Sequence, residues 1–347
     1  MKQSWPLGTR LLDALPSLLP PLQVRREQRV PPGGTLLVDV LTPAGRRRRL
    51  LVDVRAANTP SRIPEAVEQL KRSVQGRGQG YPVFASSFLS ARAREICRAA
   101  GVGYVDLAGN CRLQFDDFYC EKTVERNPFA GPGRPASLFT PVSSRIVRAL
   151  LEQPRRRWQV AELAAVTSAS LGQTSNVCRR LVDEAYAQWA DRRLQVRQPG
   201  PLLDAWREVA DRNHLAPVGY YSFEQDPDRL LARVAVLARQ HHWRYAATSF
   251  SATQRLAPFV HGIGAAYWYI EDSAAIPRWI RALDLRPVES GPNVLLLVAY
   301  DPGVFYRATT VAGVTVVGRV QAYLDVWHEP GRGQEQAEFL RKHLLRY

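Results

Sequence analysis

Two short runs near the start of the chain alternate apolar and polar positions, "TLLVDVL" (35–41) and "RLLVDVR" (49–55), around the turn-forming "TPAGRRR". Side chains point to opposite faces along a strand, so the pattern predicts a β-hairpin. With the turn near residues 44–46, position 39 lies opposite 51 and 37 opposite 53. Leu37, Asp39, Leu41, Leu51, Asp53 and Arg55 then share one face, and Val38, Val40, Val52 and Val54 the other. Beyond the hairpin the spacing predicts a helix over Ile63–Val74, a strand "YPVFASS" (81–87), a helix over Ser90–Ala100 ended by Gly101, and a strand "VGYVDLA" (102–108). A final strand is expected in "CRLQFDDFYCEK" (111–122). The opening "MKQSWPLGTRLLDALPSLLPPL" is apolar but carries four prolines, and reads as a leading helix rather than a signal peptide.

Pro/Gly-rich stretches divide the rest of the chain. "ERNPFAGPGRPASLFTP" (125–141) reads as a linker and "APVGYYSFEQDPD" (216–228) as a softer boundary. The expected architecture is α/β and multidomain: an α/β domain over 1–130, a helical domain with a polar extension over 141–215, and a second α/β domain over 216–347. The last has predicted helices at 228–241, 249–259, 274–283 and 334–345 and strands at 266–270, 293–299 and 314–318. No apolar stretch approaches the ~18 residues of a membrane span.

Charge changes the picture. The net +15 divides as +9 over residues 1–140, +4 over 141–215 and +2 over 216–347, so a polyanion would meet the first two thirds of the chain. Arginine supplies 43 of the 47 basic residues, a bias that a GC-rich genome also produces and that carries no functional weight alone. Cys97, Cys111, Cys120 and Cys178 form no CxxC pair and have no histidine at ligand spacing, which argues against a zinc site or a disulfide framework.

Asp53-Val54-Arg55 closes an apolar run before a helix, where a Mg²⁺-dependent PD-(D/E)xK nuclease has an acid, one spacer and a lysine. In the expected register Asp39 converges with Asp53, as two metal-binding carboxylates must. The third member departs from that chemistry. Arg55 is larger, planar and never deprotonated, so it does not replace a lysine that orients or activates water. The site therefore reads as degenerate, with no metal or other cofactor and no catalytic residue, and an Asp/Arg pair closing a strand is the simpler account.

The stronger signal is "SSRIVRALLEQPRRRWQVAELAAVTSASLGQTSNVCRRLVDEAYAQW" (143–189). Helices are expected over Ser143–Leu151, Val160–Val166 and Leu171–Glu184, the last two joined by a tight turn through "TSAS". This is the helix-turn-helix pattern. Gln173, Thr174, Ser175, Asn176, Arg179 and Arg180 are expected to face DNA. Gln and Asn pair with adenine and Arg with guanine, whereas Thr and Ser reach phosphate or a thymine methyl. "AYAQWADRRLQVRQPGPLLDAW" then reads as a wing carrying Arg192, Arg193 and Arg197.

"YPVFASSFLSARAREICRAAGVGYVDLAGNCRL" (81–113), the winged helix and "GVTVVGRVQAYLDVWHEPGRGQEQAEFLRKHLL" (313–345) resemble the AbiEi-type antitoxin and transcriptional-regulator family of type IV toxin–antitoxin systems. "YVDLAGN" and "VQAYLDV…PGRGQEQAEFLRK" carry the resemblance most specifically. It implies a cytoplasmic bacterial protein that represses its own operon, binds double-stranded DNA and counteracts a nucleotidyltransferase-like toxin through its C-terminal α/β domain. The long N-terminal segment departs from the plainest members and resembles a restriction-endonuclease-like fold, which keeps an alternative open: a nuclease-derived DNA-processing or repair factor binding ends or junctions. Helix-turn-helix proteins often bind as two-fold dimers, so a homodimer is compatible with the pattern, although no heptad marks a seam.

Other candidates are weaker. "GVGYVDLAGN" lacks GxGxxG spacing, and Asp106 and Asn110 read as residues that fix a turn, with a cleft as the alternative. His241-His242 suits a helix C-terminus better than a metal. "SFSATQRLAP" (249–258) has no matched His and Asp, and "YWYI" (267–270) reads as a buried strand.

Overall fold

A computed structural model describes residues 5–30, 35–56, 59–77, 80–115, 118–124, 127–129, 137–210 and 218–347. Much of the expected linker, residues 125–126 and 130–136, lies outside them. The chain is mixed α/β in two compact units, residues 1–135 with 183–185, and 136–182 with 186–347.

The first unit is a seven-stranded sheet in sequential order: β1 (Gln23–Val30), β2 (Thr35–Leu41), β3 (Arg47–Val54), β4 (Tyr81–Ser86), β5 (Gly103–Asp106), β6 (Cys111–Phe115) and β7 (Phe118–Lys122). Its first three strands are antiparallel, β3, β4 and β5 run parallel, and β5–β7 are antiparallel again. The parallel pairs require crossovers, supplied by helices α2 (Ile63–Arg77) and α3 (Ala91–Ala99). The Ser90 hydroxyl caps α3 by accepting from the Ala93 amide, and Gly101 takes the left-handed φ of 69° that ends it. Leu7, Leu11 and Leu15 at four-residue spacing turn α1 (Trp5–Leu18) onto the face bearing Val38, Val40, Val52 and Val54. Leu51, Phe84 and Tyr104 meet α2 and α3 on the other. The alternation expected for β2 and β3 holds. The expected single strand over 111–122 is instead the β6–β7 pair, and β1, rich in charge, was not foreseen.

The second unit starts with α4 (Pro141–Glu152), α5 (Val160–Thr167) and α6 (Leu171–Asp183), the hairpin β8 (Ala187–Ala190) and β9 (Arg193–Val196), and α7 (Pro199–Val209). A second mixed sheet comes next in the order β13-β10-β14-β12-β11-β16-β15. Its strands are β10 (Val218–Tyr221), β11 (Tyr245–Ala247), β12 (Ala266–Ile270), β13 (Arg286–Pro287), β14 (Val294–Val298), β15 (Thr309–Val311) and β16 (Val314–Val316). Helices α8 (Pro227–His241), α9 (Ser249–Leu256), α10 (Ile276–Leu283), α11 (Arg319–Trp327) and α12 (Gly333–Leu340) cover it. The boundary expected at 216–228 falls on β10 and the start of α8, apart from 216–217, which lie outside the described residues. One core runs across it: Leu150, Trp158, Leu181 and Trp206 belong to the same buried cluster as Trp268, Trp279, Tyr323 and Leu340.

Polar ties reinforce that union. The guanidinium of Arg145 grips the Asp301 carboxylate, with Nε to Oδ1 and Nη2 to Oδ2 both 2.8 Å. Glu152, nearly fully buried, accepts from the Val320 amide at 2.8 Å and from Arg319 at 3.3 Å; burial pushes its carboxyl above the ordinary range. Arg148, fully buried, stacks on Trp206 and donates through Nη2 to Gln321 at 2.6 Å and to the Tyr300 hydroxyl at 2.9 Å. Gln321 in turn donates to Asp325 at 2.7 Å, as do the Tyr269 hydroxyl at 3.2 Å and the Thr248 hydroxyl. Burial raises the Asp325 carboxyl to about 7 despite these donors.

Candidate nucleic-acid interface

The acidic site does not assemble as its sequence suggests. Thr42 and Arg46 close the hairpin turn, with the Gly45 amide returned to the Thr42 carbonyl, so the turn centre sits near 44. Asp39 therefore faces Arg49, and Asp53 faces Thr35. The register is two residues from the expected one, a slip that keeps every side chain on its face but separates the carboxylates. Asp39 stands four residues along β2 from Thr35, the residue opposite Asp53, about 13 Å at ~3.3 Å per residue. A shared cation needs oxygens within about 2.0–2.6 Å of itself, so the expected convergence of Asp39 with Asp53 is overturned.

Each carboxylate has a cation instead. Arg49 Nε donates to Asp39 at 2.8 Å. Arg55 Nε donates to Asp53 at 2.9 Å and its Nη2 to Gln69 of α2 at 3.0 Å. Asp53 is buried, and desolvation raises its carboxyl above the usual value although Arg55 pulls it down. Arg55 thus closes a strand end onto a helix. Among the described residues no group of three or more His, Cys, Asp or Glu side chains is placed to hold a metal ion.

"YVDLAGN" is a knot within the fold. Asp106 Oδ1 accepts from the Ala108 and Asn110 amides, both at 2.9 Å, and its Oδ2 accepts from the Leu89 amide at 2.8 Å and from Asn110 Nδ2 at 2.7 Å. Asn110 passes the tie to Arg94 and to the Val124 amide, both at 2.6 Å. With both residues fully buried, this is the turn-fixing role rather than a cleft. His242 takes a left-handed φ of 55° as the C-cap of α8, and all five residues of β12 are buried. Ser251, buried, accepts from the Tyr267 amide at 2.9 Å. The four thiols are free, Cys111 and Cys120 lying 3.6 Å apart.

The helix-turn-helix forms where the sequence puts it. At the start of α5, Gln159 and Glu162 make a reciprocal capping box. Ser168 ends α5 in the left-handed region, and Ser170 opens α6 by accepting from the Gln173 amide at 3.2 Å. Val177, Cys178 and Leu181 face the core. Gly172, Asn176 and Arg179, at i, i+4 and i+7, face solvent, and Gln173, Ser175 and Arg180 are half-buried beside them. Thr174 is a correction to the predicted set. It is fully buried, its hydroxyl donates to the Ser170 carbonyl at 2.9 Å, and it cannot touch DNA. Gly172, which sequence reasoning passed over, has no atom within 4 Å of where a Cβ would stand, so the backbone can approach a groove floor closely.

The chain matches no protein-family model, and no curated protein matches it. Among solved structures, the apo form of EndoMS matches with 16% identity over 31% of this chain and a TM-score of 0.23. The match spans 47% of the EndoMS chain, about half its length, and a likeness this slight bears on neither fold nor chemistry.

The wing is a two-residue hairpin. Asp191 and Arg192 take φ values of 51° and 60°, the paired positive angles of a type I′ turn. A single antiparallel bridge pairs Trp158 with Leu194 and anchors the wing to α5's approach. Arg192 and Arg197 are exposed and Arg193 half-buried, so the basic residues expected on the wing are on its surface. Trp189, 43% exposed on β8, adds an apolar face there that the charge pattern gave no reason to expect. None of the described helices is long and apolar enough to cross a membrane.

Proposed function

We propose that this protein is a transcriptional regulator that binds duplex DNA through α6 and the β8–β9 wing. The observation that carries the reading is the joint geometry: a tight turn into α6, a solvent face of Gly172, Asn176 and Arg179 with Leu171 exposed at its start, and a basic hairpin later in the same segment. A helix so presented fits the major groove of B-DNA, and an arginine-tipped hairpin fits the flanking backbone. Gln173, Asn176 and Arg180 read base edges, Arg179 and Ser175 lie nearer phosphate, and Arg192, Arg193 and Arg197 supply sequence-independent attraction. The Asp39, Asp53 and Arg55 positions carry no chemistry in this reading, and the first unit serves DNA or partner contact. The autoregulatory and antitoxin roles follow if the preferred DNA is the chain's own upstream region and a nucleotidyltransferase-like toxin binds the residues beyond 216.

Selection of bound duplexes from a random pool tests the core of the proposal. The parent should enrich a defined sequence, and Gln173→Ala/Asn176→Ala should lose preference at one or two positions, at about 1–3 kcal/mol per lost contact. Arg193→Ala should weaken all sequences alike. If every variant enriches and binds as the parent does, the reading helix is elsewhere.

A further inference from the structure

An open groove of about 370 Å³ runs beside the turn into α6, lined by Val166 and Ser168 on one side and by Arg244, Phe305 and Arg307 on the other. The second side belongs to the nearly neutral C-terminal part of the chain, which the charge distribution sets aside as a poor polyanion binder. The groove is built rather than incidental. Arg145 joins its walls, holding Asp301 through two of its nitrogens while its Nη1 donates to the Ser168 carbonyl at 3.3 Å. The segment after Asp301 seats tightly on α4. A Cβ on Gly303 would stand 2.8 Å from both Arg145 Cγ and Arg148 Nη1, so only glycine fits.

Two cations are thereby presented. The Arg244 guanidinium lies over the Phe305 ring at 4.2 Å, on a residue that is exposed as a whole. Arg307 holds a left-handed φ of 59°, a conformation a non-glycine residue keeps only where its surroundings enforce it. Among the described residues neither forms an ion pair with an acid, whereas Arg145 is matched by Asp301. Two unmatched arginines on a preformed rim, beside the turn that delivers the reading helix, suit the phosphates that flank the major groove.

We propose that this groove holds the DNA backbone flanking the segment read by α6, with Arg244 and Arg307 each neutralising one phosphate. The proposal rests on the DNA-binding reading above and extends its footprint into the C-terminal part of the chain. Two phosphate contacts contribute about 1.8 to the slope of log affinity against log salt, at about 0.9 per contact. Between 50 and 200 mM salt that share amounts to about a twelve-fold change in affinity.

The test compares the full-length parent with Arg244→Gln/Arg307→Gly on the selected duplex and on random DNA across that salt range. The glycine relaxes the left-handed position, so the variant is expected to melt with the parent. The expected result is weaker binding to both DNAs, a slope shallower by about 1.8, and unchanged base preference. Trimming the duplex on the flank that meets the groove should reduce the parent's slope to the variant's. A parent that binds while the variant keeps its full slope overturns the groove alone. A parent that binds no duplex overturns this proposal together with the reading it rests on.

Discussion

Removing Arg145 should cost more than removing its charge partner, because of what stays behind. Asp301 is 4% exposed, and its Oδ1 also accepts from the Gly303 amide, so Arg145→Ala strands a buried carboxylate that cannot turn to water. At an effective dielectric of about 20 a unit pair at 4 Å is worth about 4 kcal/mol, and breaking a buried pair from one side costs about 3–5 kcal/mol. Arg145 keeps some contact with solvent, which places the expected loss near 3 kcal/mol. Asp301→Asn leaves the Gly303 bond and removes only the charge, for about 1–2 kcal/mol. In the double variant neither charge remains, so no buried carboxylate is stranded, and the coupling energy should be about 2 kcal/mol. Tryptophan fluorescence in urea suits the measurement, because seven of the eight tryptophans lie beyond residue 136 and report the second unit. A coupling below about 0.5 kcal/mol would refute the reasoning and make the pair an ornament of the surface.

Purified protein should leave plasmid, linear and branched DNA intact with Mg²⁺ or Mn²⁺; cleavage that disappears in Asp53→Ala would show that the separated carboxylates work after all. Thr174→Ala should destabilise by about 1–2 kcal/mol through the lost Ser170 bond and the cavity left behind, with Asn176→Ala within about 0.5 kcal/mol of the parent, both read by thermal melting. Asp325 holds its proton more tightly folded, at about 7, than unfolded, at the ordinary 3.8. The stability it contributes is therefore fully present below pH 4 and lost as pH rises towards 7, with a ceiling of about 4 kcal/mol. Asp325→Asn should flatten that part of the pH–stability profile, and an unchanged profile would exclude the residue. Burial pushes the Cys97 and Cys178 thiols up to about 12, so both should resist alkylation in the native protein at pH 8 and react once it is unfolded.

The helices over 141–183 were legible because their apolar positions recur at helical spacing and their ends are marked; α6 begins at Leu171 as expected. Thr174 was misread for its chemistry. It stands three residues before Val177 and four before Cys178, on the core stripe, but its hydroxyl suggested a DNA contact. The β2–β3 faces were legible and the register was not, since alternation is blind to a slip of two and only the turn decides it. Short strands such as β11 and the charged β1 left too little pattern to read. Helix α11 was missed for the opposite reason: Val320 to Val326 are all buried, so it has no polar face, and Gln321 and Asp325 look like surface residues until Arg148 and Thr248 are brought to them. Arg244 and Arg307 lie 63 positions apart and say nothing separately.

The polar ties of α4 also set a clock. Its partners come late: Asp301 follows Arg145 by 156 residues, Gln321 follows Arg148 by 173, and Tyr347, whose hydroxyl donates to the Leu151 carbonyl, follows by 196. At about 5–20 residues per second a ribosome needs roughly 10–40 s to deliver that last partner after α4 emerges. For most of that interval Arg148 lacks Gln321 and Glu152 lacks Arg319 and Val320, and the helix that would read DNA stands on an unfinished footing. A chain cut short before residue 301 lacks every one of these C-terminal ties, so α4 gains its polar anchoring only as the last quarter of the chain is delivered.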